Sequence, residues 1–106
     1  PLLGFADWND SMNLRTGAES LFSACLYGRA LRELIALSRY EGDSGAAARY
    51  GALYEEMGAR VNGAAWDGAW YVEYFDADGQ PLGSQRSAKG QIYAYGQAWA
   101  VMTVRF

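Results

Sequence analysis

The stretch TGAESLFSACLYGRALRELIALSRYEGDSGAAARYGALYEEMGARVNGAA, residues 16–65, decides the fold. Thr16 and Glu19 have the T-x-x-E spacing of a capping box, in which each side chain bonds the other's free backbone N–H, so a helix is expected to start at Thr16. Phe22, Leu26, Ala30 and Leu34 repeat every four residues, and Leu21, Cys25, Gly28, Leu31 and Ile35 form a second apolar row beside them. Arg29, Arg32, Glu33 and Arg39 leave only a narrow polar face, the pattern of a helix packed between neighbours. Gly42 supplies a left-handed stop, and Asp43 or Ser44 can cap a second helix. In that second helix Tyr50, Leu53, Tyr54, Met57, Val61 and Ala64 share one face, while Arg49, Glu55, Glu56 and Arg60 lie outside. Two helices joined by the short Glu41–Ser44 turn predict an antiparallel helical hairpin over 16–65.

On the C-terminal side the character changes. Trp70-Tyr71-Val72-Glu73-Tyr74-Phe75 favours extended backbone, Asp76-Ala77-Asp78-Gly79 reads as a turn, and Pro81–Ser84 leads back. Residues 66–90 are therefore expected to be a β-hairpin and polar loop. From Ile92, the residues Tyr93, Tyr95, Trp99, Val101 and Met102 predict the start of another buried helix over 91–106. On the N-terminal side, residues 1–15 have neither helical nor strand period, and their Asp, Asn, Ser and Gly content reads as an ordered loop. The chain opens at Pro1 and stops at Phe106 inside an apolar run, so it is expected to be a piece of a longer protein.

Composition excludes several classes. Twelve acids against nine bases leave a net charge of −3, the wrong sign for a nucleic-acid footprint. No apolar run approaches the ~18 residues of a membrane span. One cysteine cannot form an internal disulfide, and without histidine the usual zinc sites are out of reach. No metal site is expected. Aromatic residues make up 15% of the chain, which suits a core that also lines a groove for a flat ligand.

Asp7-Trp8-Asn9-Asp10 is the centre of chemical interest. A tryptophan ring can stack a sugar while a neighbouring carboxyl, its pKa raised by desolvation, donates a proton to a glycosidic oxygen. Glycosidic cleavage usually needs a second carboxyl, but an anionic phosphate nucleophile removes that need. The same two acids can instead stabilise the loop through side-chain to backbone bonds. Glu19 is a second candidate acid, with the capping box as its alternative. Gln97 and Trp99 either face a sugar or pack the core. Cys25 sits on an apolar helix face with no histidine partner and is not expected to be a nucleophile.

Six motifs occur in one order: Ala6-Asp7-Trp8-Asn9-Asp10, Gly17-Ala18-Glu19-Ser20, Ala65-Trp66-Asp67-Gly68 with Trp70-Tyr71, Gly83-Ser84, Gly90-Gln91-Ile92, and Gln97-Ala98-Trp99-Ala100-Val101. Together they resemble the inverting glycoside phosphorylases of glycoside hydrolase family 94, over nearly the whole chain. The resemblance implies a mainly α fold, a slice of an (α/α)6 barrel carrying a helical hairpin and a short β-hairpin excursion, with residues 1–15 as the catalytic-acid loop. It implies Asp10 as general acid and Trp8 at the sugar subsite; Asn9, Asp7, Glu19 and Gln97 are expected as further substrate-binding residues. It implies a β-linked di- or oligosaccharide and inorganic phosphate as substrates, and no cofactor. A cytoplasmic, homodimeric parent is expected, with no nucleic-acid or membrane partner. Non-catalytic glycan binding by a helical module, or inverting hydrolysis by water, are the alternatives; the second needs another carboxylate about 6.5–9.5 Å from Asp10.

The chain departs from the family pattern at several positions. Ser11 replaces a common Gly, and the Thr103-Val104-Arg105-Phe106 ending diverges from the expected S-G. Glu73 and Lys89 stand where many relatives carry Arg and Glu, so a charge-swapped Glu73–Lys89 pair is expected. The donor-sugar Arg and Asp and the phosphate-binding His and Thr-Gly of the family are absent from these residues. The 106-residue chain alone is therefore expected to be inactive.

Overall fold

Gly17 stops the predicted helix before it begins. Its φ of +101° places it in a turn with Thr16, a conformation that favours glycine and that no helix contains. The structure, a computed structural model, describes residues 12–103. Within them the elements run β1 (Glu19–Ser20), α1 (Leu21–Tyr40), α2 (Ser44–Ala65), β2 (Tyr74–Phe75), β3 (Pro81–Leu82) and α3 (Ala94–Thr103).

The capping box at Thr16 and Glu19 is thus corrected. Ser20 caps α1 instead, its Oγ accepting from Ser23 N at 3.3 Å. Glu19 and Ser20 are extended because they pair with β2, Glu19 opposite Phe75 and Ser20 opposite Tyr74. Strand pairing wins here because it buries Ala18 and Ser20 and gives the first helical N–H, that of Leu21, a partner in Glu73 O at 2.9 Å. The expected two-stranded hairpin therefore becomes a three-stranded antiparallel sheet in the order β1-β2-β3.

The helical hairpin forms as the sequence predicts. Gly42, at φ +78°, ends α1, and Asp43 caps α2 by accepting from Ala46 N at 2.8 Å. A core of Leu21, Ala24, Cys25, Val61, Ala65 and Ala100 lies among the three helices, with Met57, Tyr71, Phe75 and Trp99 packed against it. Only one of α1's two apolar rows is covered. Leu26, Leu34 and Leu37, on the opposite side of the helix, are 47%, 38% and 51% exposed. On α2, Val61 is buried and Tyr50, Tyr54 and Met57 are half-buried, whereas Leu53 and Ala64 are exposed.

The β-hairpin turn falls at Asp76–Gln80. Asp76 Oδ1 accepts from both Asp78 N and Gln80 N, and Gly79 adopts φ +78°. The last helix begins at Ala94 rather than Ile92, and its inward face is small: Gly96, Ala100 and Thr103 are buried while Val101 and Met102 are exposed. Small residues win that face because α3 must approach α1 and the Glu73 side chain closely. At its far end, Thr103 O accepts from Tyr54 Oη at 3.1 Å and Arg32 Nη1 at 3.4 Å, and Thr103 Oγ1 donates to Cys25 O, so α3 is tied to both other helices. Among the described residues, no helix is long and apolar enough to cross a membrane.

Gly96 carries the tightest constraint. A Cβ built there would lie 1.7 Å from Glu73 Oε2, far inside contact distance. Alanine in a helix interior ordinarily improves stability by about 0.5–1 kcal/mol over glycine. Gly96→Ala is expected to lower it instead, by about 1–3 kcal/mol or more, as overpacking does. Gly51→Ala, in α2 with nothing within 4 Å of its Cβ position, is expected to raise it. Urea unfolding of the two variants checks this; a Gly96→Ala protein as stable as Gly51→Ala would refute the tight fit.

Candidate active site

The chain gathers its sheet and its connecting loops at one end of the helical layer. β1 enters α1, the Trp66–Tyr93 segment joins the end of α2 to the start of α3, and β2 pairs with β1. Asp7, Trp8, Asn9 and Asp10 lie outside the described residues. The described part of their loop, residues 12–18, is pinned to the hairpin. Arg15 pairs with Asp78, Gly17 faces the Ala77 side chain, and Ala18 N bonds back to Arg15 O at 3.1 Å.

Glu19 is exposed on β1, at the rim of a cleft floored by Leu21, Ala24, Val61 and Ala65, with Arg60 on its lining. Gln97 has its amide bonded to backbone: Oε1 accepts from Tyr71 N at 3.0 Å and Nε2 donates to Tyr71 O at 2.8 Å. Trp99 meets Phe22 edge-on at 5.0 Å and packs on the core. Trp70 donates through Nε1 to Gly83 O at 3.0 Å and Gln91 O at 2.7 Å.

These bonds join motifs that lie far apart in sequence. Immediately after α2, Trp66 bridges to Tyr71, with Asp67 N bonded to Trp70 O and Gly68 at φ +93° in the turn. Asp67 Oδ2 then accepts from Ser84 Oγ at 2.9 Å and Gln85 N at 2.7 Å, while Gln85 Nε2 reaches Asp67 O. Gln91 Nε2 donates to Gln85 O and Ser87 O. Tyr71 Oη donates to Asn62 Oδ1 at 2.6 Å. The Trp66–Tyr71 turn, the Gly83–Ser84 corner, the Gly90–Ile92 loop and the Gln97 helix are thus one polar lattice.

Glu73 was not a site candidate from sequence, yet among the described residues it is the only charged one that is buried, with no exposed surface. Its backbone spans Leu21 N and Leu82 O, and its carboxylate lies against Gly96 in the first turn of α3. A helix N-terminus carries partial positive charge, which favours an anion there. The available sequence signal was Gly96 itself, a glycine with no turn to make inside a helix-favouring run. The expected Glu73–Lys89 pair does not form: Lys89 is exposed, Glu73 is fully buried, and the described ion pairs do not join them. Burial pushes the Cys25 thiol up to about 11, with a downward pull from the Thr103 hydroxyl and a smaller upward push from Glu73, so the thiol stays protonated at neutral pH. Among the described residues, no cluster of three or more potential ligands could hold a metal ion.

The Gln85 N–H, followed by the Ser84 hydroxyl, holds the Asp67 carboxyl below its ordinary 3.8. A depressed carboxyl contributes stability that is present above its unfolded value and lost as the pH falls through its folded value. The lattice is therefore expected to loosen in acid below about pH 4. Asp67→Asn should show lower stability than the wild type at neutral pH and a smaller further loss on acidification. Thermal unfolding from pH 7 to 3 checks this; parallel curves for the two proteins would refute it.

A family model described as the glycosyl hydrolase 94 superfamily, catalytic domain, matches residues 1–105. The chain is similar to a 3-O-beta-D-glucopyranosyl-beta-D-glucuronide phosphorylase of Paenibacillus borealis, 34% identical over 96% of this chain and 14% of that protein. It is 37% identical to a solabiose phosphorylase of the same organism, over 92% of this chain and 13% of that protein. It is 32% identical to an N,N'-diacetylchitobiose phosphorylase of Vibrio proteolyticus, over 92% of this chain and 12% of that protein. The chain thus spans about one seventh or less of the length of these relatives. Its matched span takes in the Asp7–Asp10 quartet, the Trp66–Tyr71 turn and the Gln97 helix, and the chain belongs to the glycosyl hydrolase 94 superfamily, within its catalytic domain.

Proposed function

We propose that the chain is the part of an inverting glycoside phosphorylase that carries the general acid, Asp10. The observation that supports this most directly is the family match over residues 1–105, which includes an intact Asp-Trp-Asn-Asp quartet. Relatives whose names are those of disaccharide phosphorylases support the reaction class. In this reading the chain forms part of an (α/α)6 barrel, and its sheet end faces the substrate.

The substrate is a β-linked disaccharide. A phosphate oxygen attacks the anomeric carbon from the face opposite the leaving sugar. The glycosidic C–O bond breaks, and Asp10 delivers its proton to the departing oxygen. One displacement inverts the centre and yields an α-sugar 1-phosphate and a free sugar. Phosphate is already anionic, so no second carboxylate is needed to activate the nucleophile. Trp8 stacks a sugar ring, Asn9 and Asp7 bond hydroxyls beside it, and exposed Glu19 reaches the substrate from the edge of the sheet. Gln97, whose amide is bonded to the Tyr71 backbone, serves by fixing the Trp66–Tyr71 turn. The donor-sugar and phosphate contacts come from other parts of the full-length protein.

The full-length protein is expected to release sugar 1-phosphate from a β-linked disaccharide only when phosphate is supplied. Equal cleavage without phosphate would identify a hydrolase instead. Asp10→Asn is expected to lower turnover about 10²–10⁴-fold, the usual worth of general-acid catalysis. Wild-type turnover in that variant would remove Asp10 from the role.

A further inference from the structure

One indole closes a loop. Trp70 Nε1 donates both to Gly83 O at 3.0 Å and to Gln91 O at 2.7 Å, so the two ends of the segment 83–91 meet at a single N–H. The Tyr93 ring seats the same neck. A Cβ built at Gly83 would lie 2.9 Å from Tyr93 Cδ2, and one built at Gly90 would lie 3.1 Å from Tyr93 Oη, so both glycines approach the ring more closely than a side chain allows. The head of the loop is braced from inside. Gln91 Nε2 donates to Gln85 O at 3.2 Å and to Ser87 O at 3.0 Å, Arg86 N to Ser84 Oγ at 3.1 Å, and Ser87 N to Ser84 O at 2.9 Å. A surface segment with its ends together and its interior filled by its own side chains is a compact Ω-type loop.

Beyond the neck, the described hydrogen bonds from this segment to the rest of the fold all go to Asp67, from Ser84 Oγ, Gln85 N and Gln85 Nε2. Gln85, Arg86, Ala88, Lys89 and Gly90 are exposed. A segment with little apolar burial and with hydrogen bonds close to solvent opens at lower cost than the core, and it opens as a contiguous unit. We propose that 83–91 is a strap that opens and closes in one piece, with the Trp70 N–H as its catch and the Tyr93 ring as its seat. The connection between α2 and α3 can then unfasten while both helices stay folded. Gly83 also lies over Glu73, its Cβ position 3.2 Å from Glu73 Cβ, so opening lifts a cover from that buried side chain.

Amide-resolved hydrogen exchange of the full-length protein tests this. The bonded amides of the strap are those of Gln85, Arg86 and Ser87, and none of them bonds to Trp70. Trp70→Phe keeps a ring and removes the catch. In a strap that moves as one piece, all three amides should exchange faster by one common factor of about 5- to 30-fold, the worth of a lost hydrogen-bonding group. Amides of α1 and α2 should keep their wild-type rates. Should Trp70→Phe fail to fold, Gly90→Ala loosens the other end of the neck against Tyr93 and should speed the same three amides together. Wild-type exchange at those amides in a folded variant overturns the proposal, because the loop then holds bond by bond. Unrelated factors at the three amides overturn it too, as does an equal acceleration throughout α1 and α2.

Discussion

The position of α3 depends on a side chain that is not there. Gly96 leaves a notch in the first turn of the helix, and the buried Glu73 carboxylate fills it. Burying a charged group is expensive unless its surroundings compensate. Here it sits where the helix's own partial positive charge is concentrated. The same residue holds the start of α1 through its carbonyl and β3 through its N–H. This one residue, just ahead of β2, therefore registers two helices and β3 against one another. A change at either Glu73 or Gly96 alters a contact that the other residue was shaped to fit.

Around this joint the family motifs divide their labour. The Trp66–Tyr71 turn, the Gly83–Ser84 corner and Gln97 bond to one another rather than presenting free polar groups. Trp70 spends its only donor on two backbone carbonyls, and Asp67 lashes two turns together. These bonds hold the long connection between α2 and α3 in one shape.

The helical hairpin was legible because its signals are local. Gly42 and Asp43 determine the turn by backbone conformation and capping alone, and the apolar spacing of α2 fixes its length. The hairpin turn at Asp76–Gly79 was legible for the same reason. What sequence reasoning missed was non-local. Glu19 and Ser20 become a strand because of β2, more than fifty positions away in sequence, and no local pattern in Thr16–Ser20 competes with an equally good capping box. The inward face of α3 was misjudged because large aromatic and aliphatic residues read as core, whereas close helix contact selects Gly96, Ala100 and Thr103. Of the candidate site, the quartet was singled out by the chemistry of its residue types and lies outside the described residues. Glu73 escaped because a charged residue in a strand ordinarily faces water.

The pairing of β1 with β2 has a kinetic consequence. It joins the more sequence-distant of the sheet's two strand pairs through only two residues on each side, whereas the α1–α2 hairpin and the β2–β3 hairpin close over short loops. Contacts of long sequence separation carry the larger loop-closure cost and form late. A two-residue ladder at a sheet edge is also among the cheapest parts of a fold to open. The entry to α1 is therefore assembled after the α1–α2 hairpin and is among the first parts to open on heating, while those two helices are still paired.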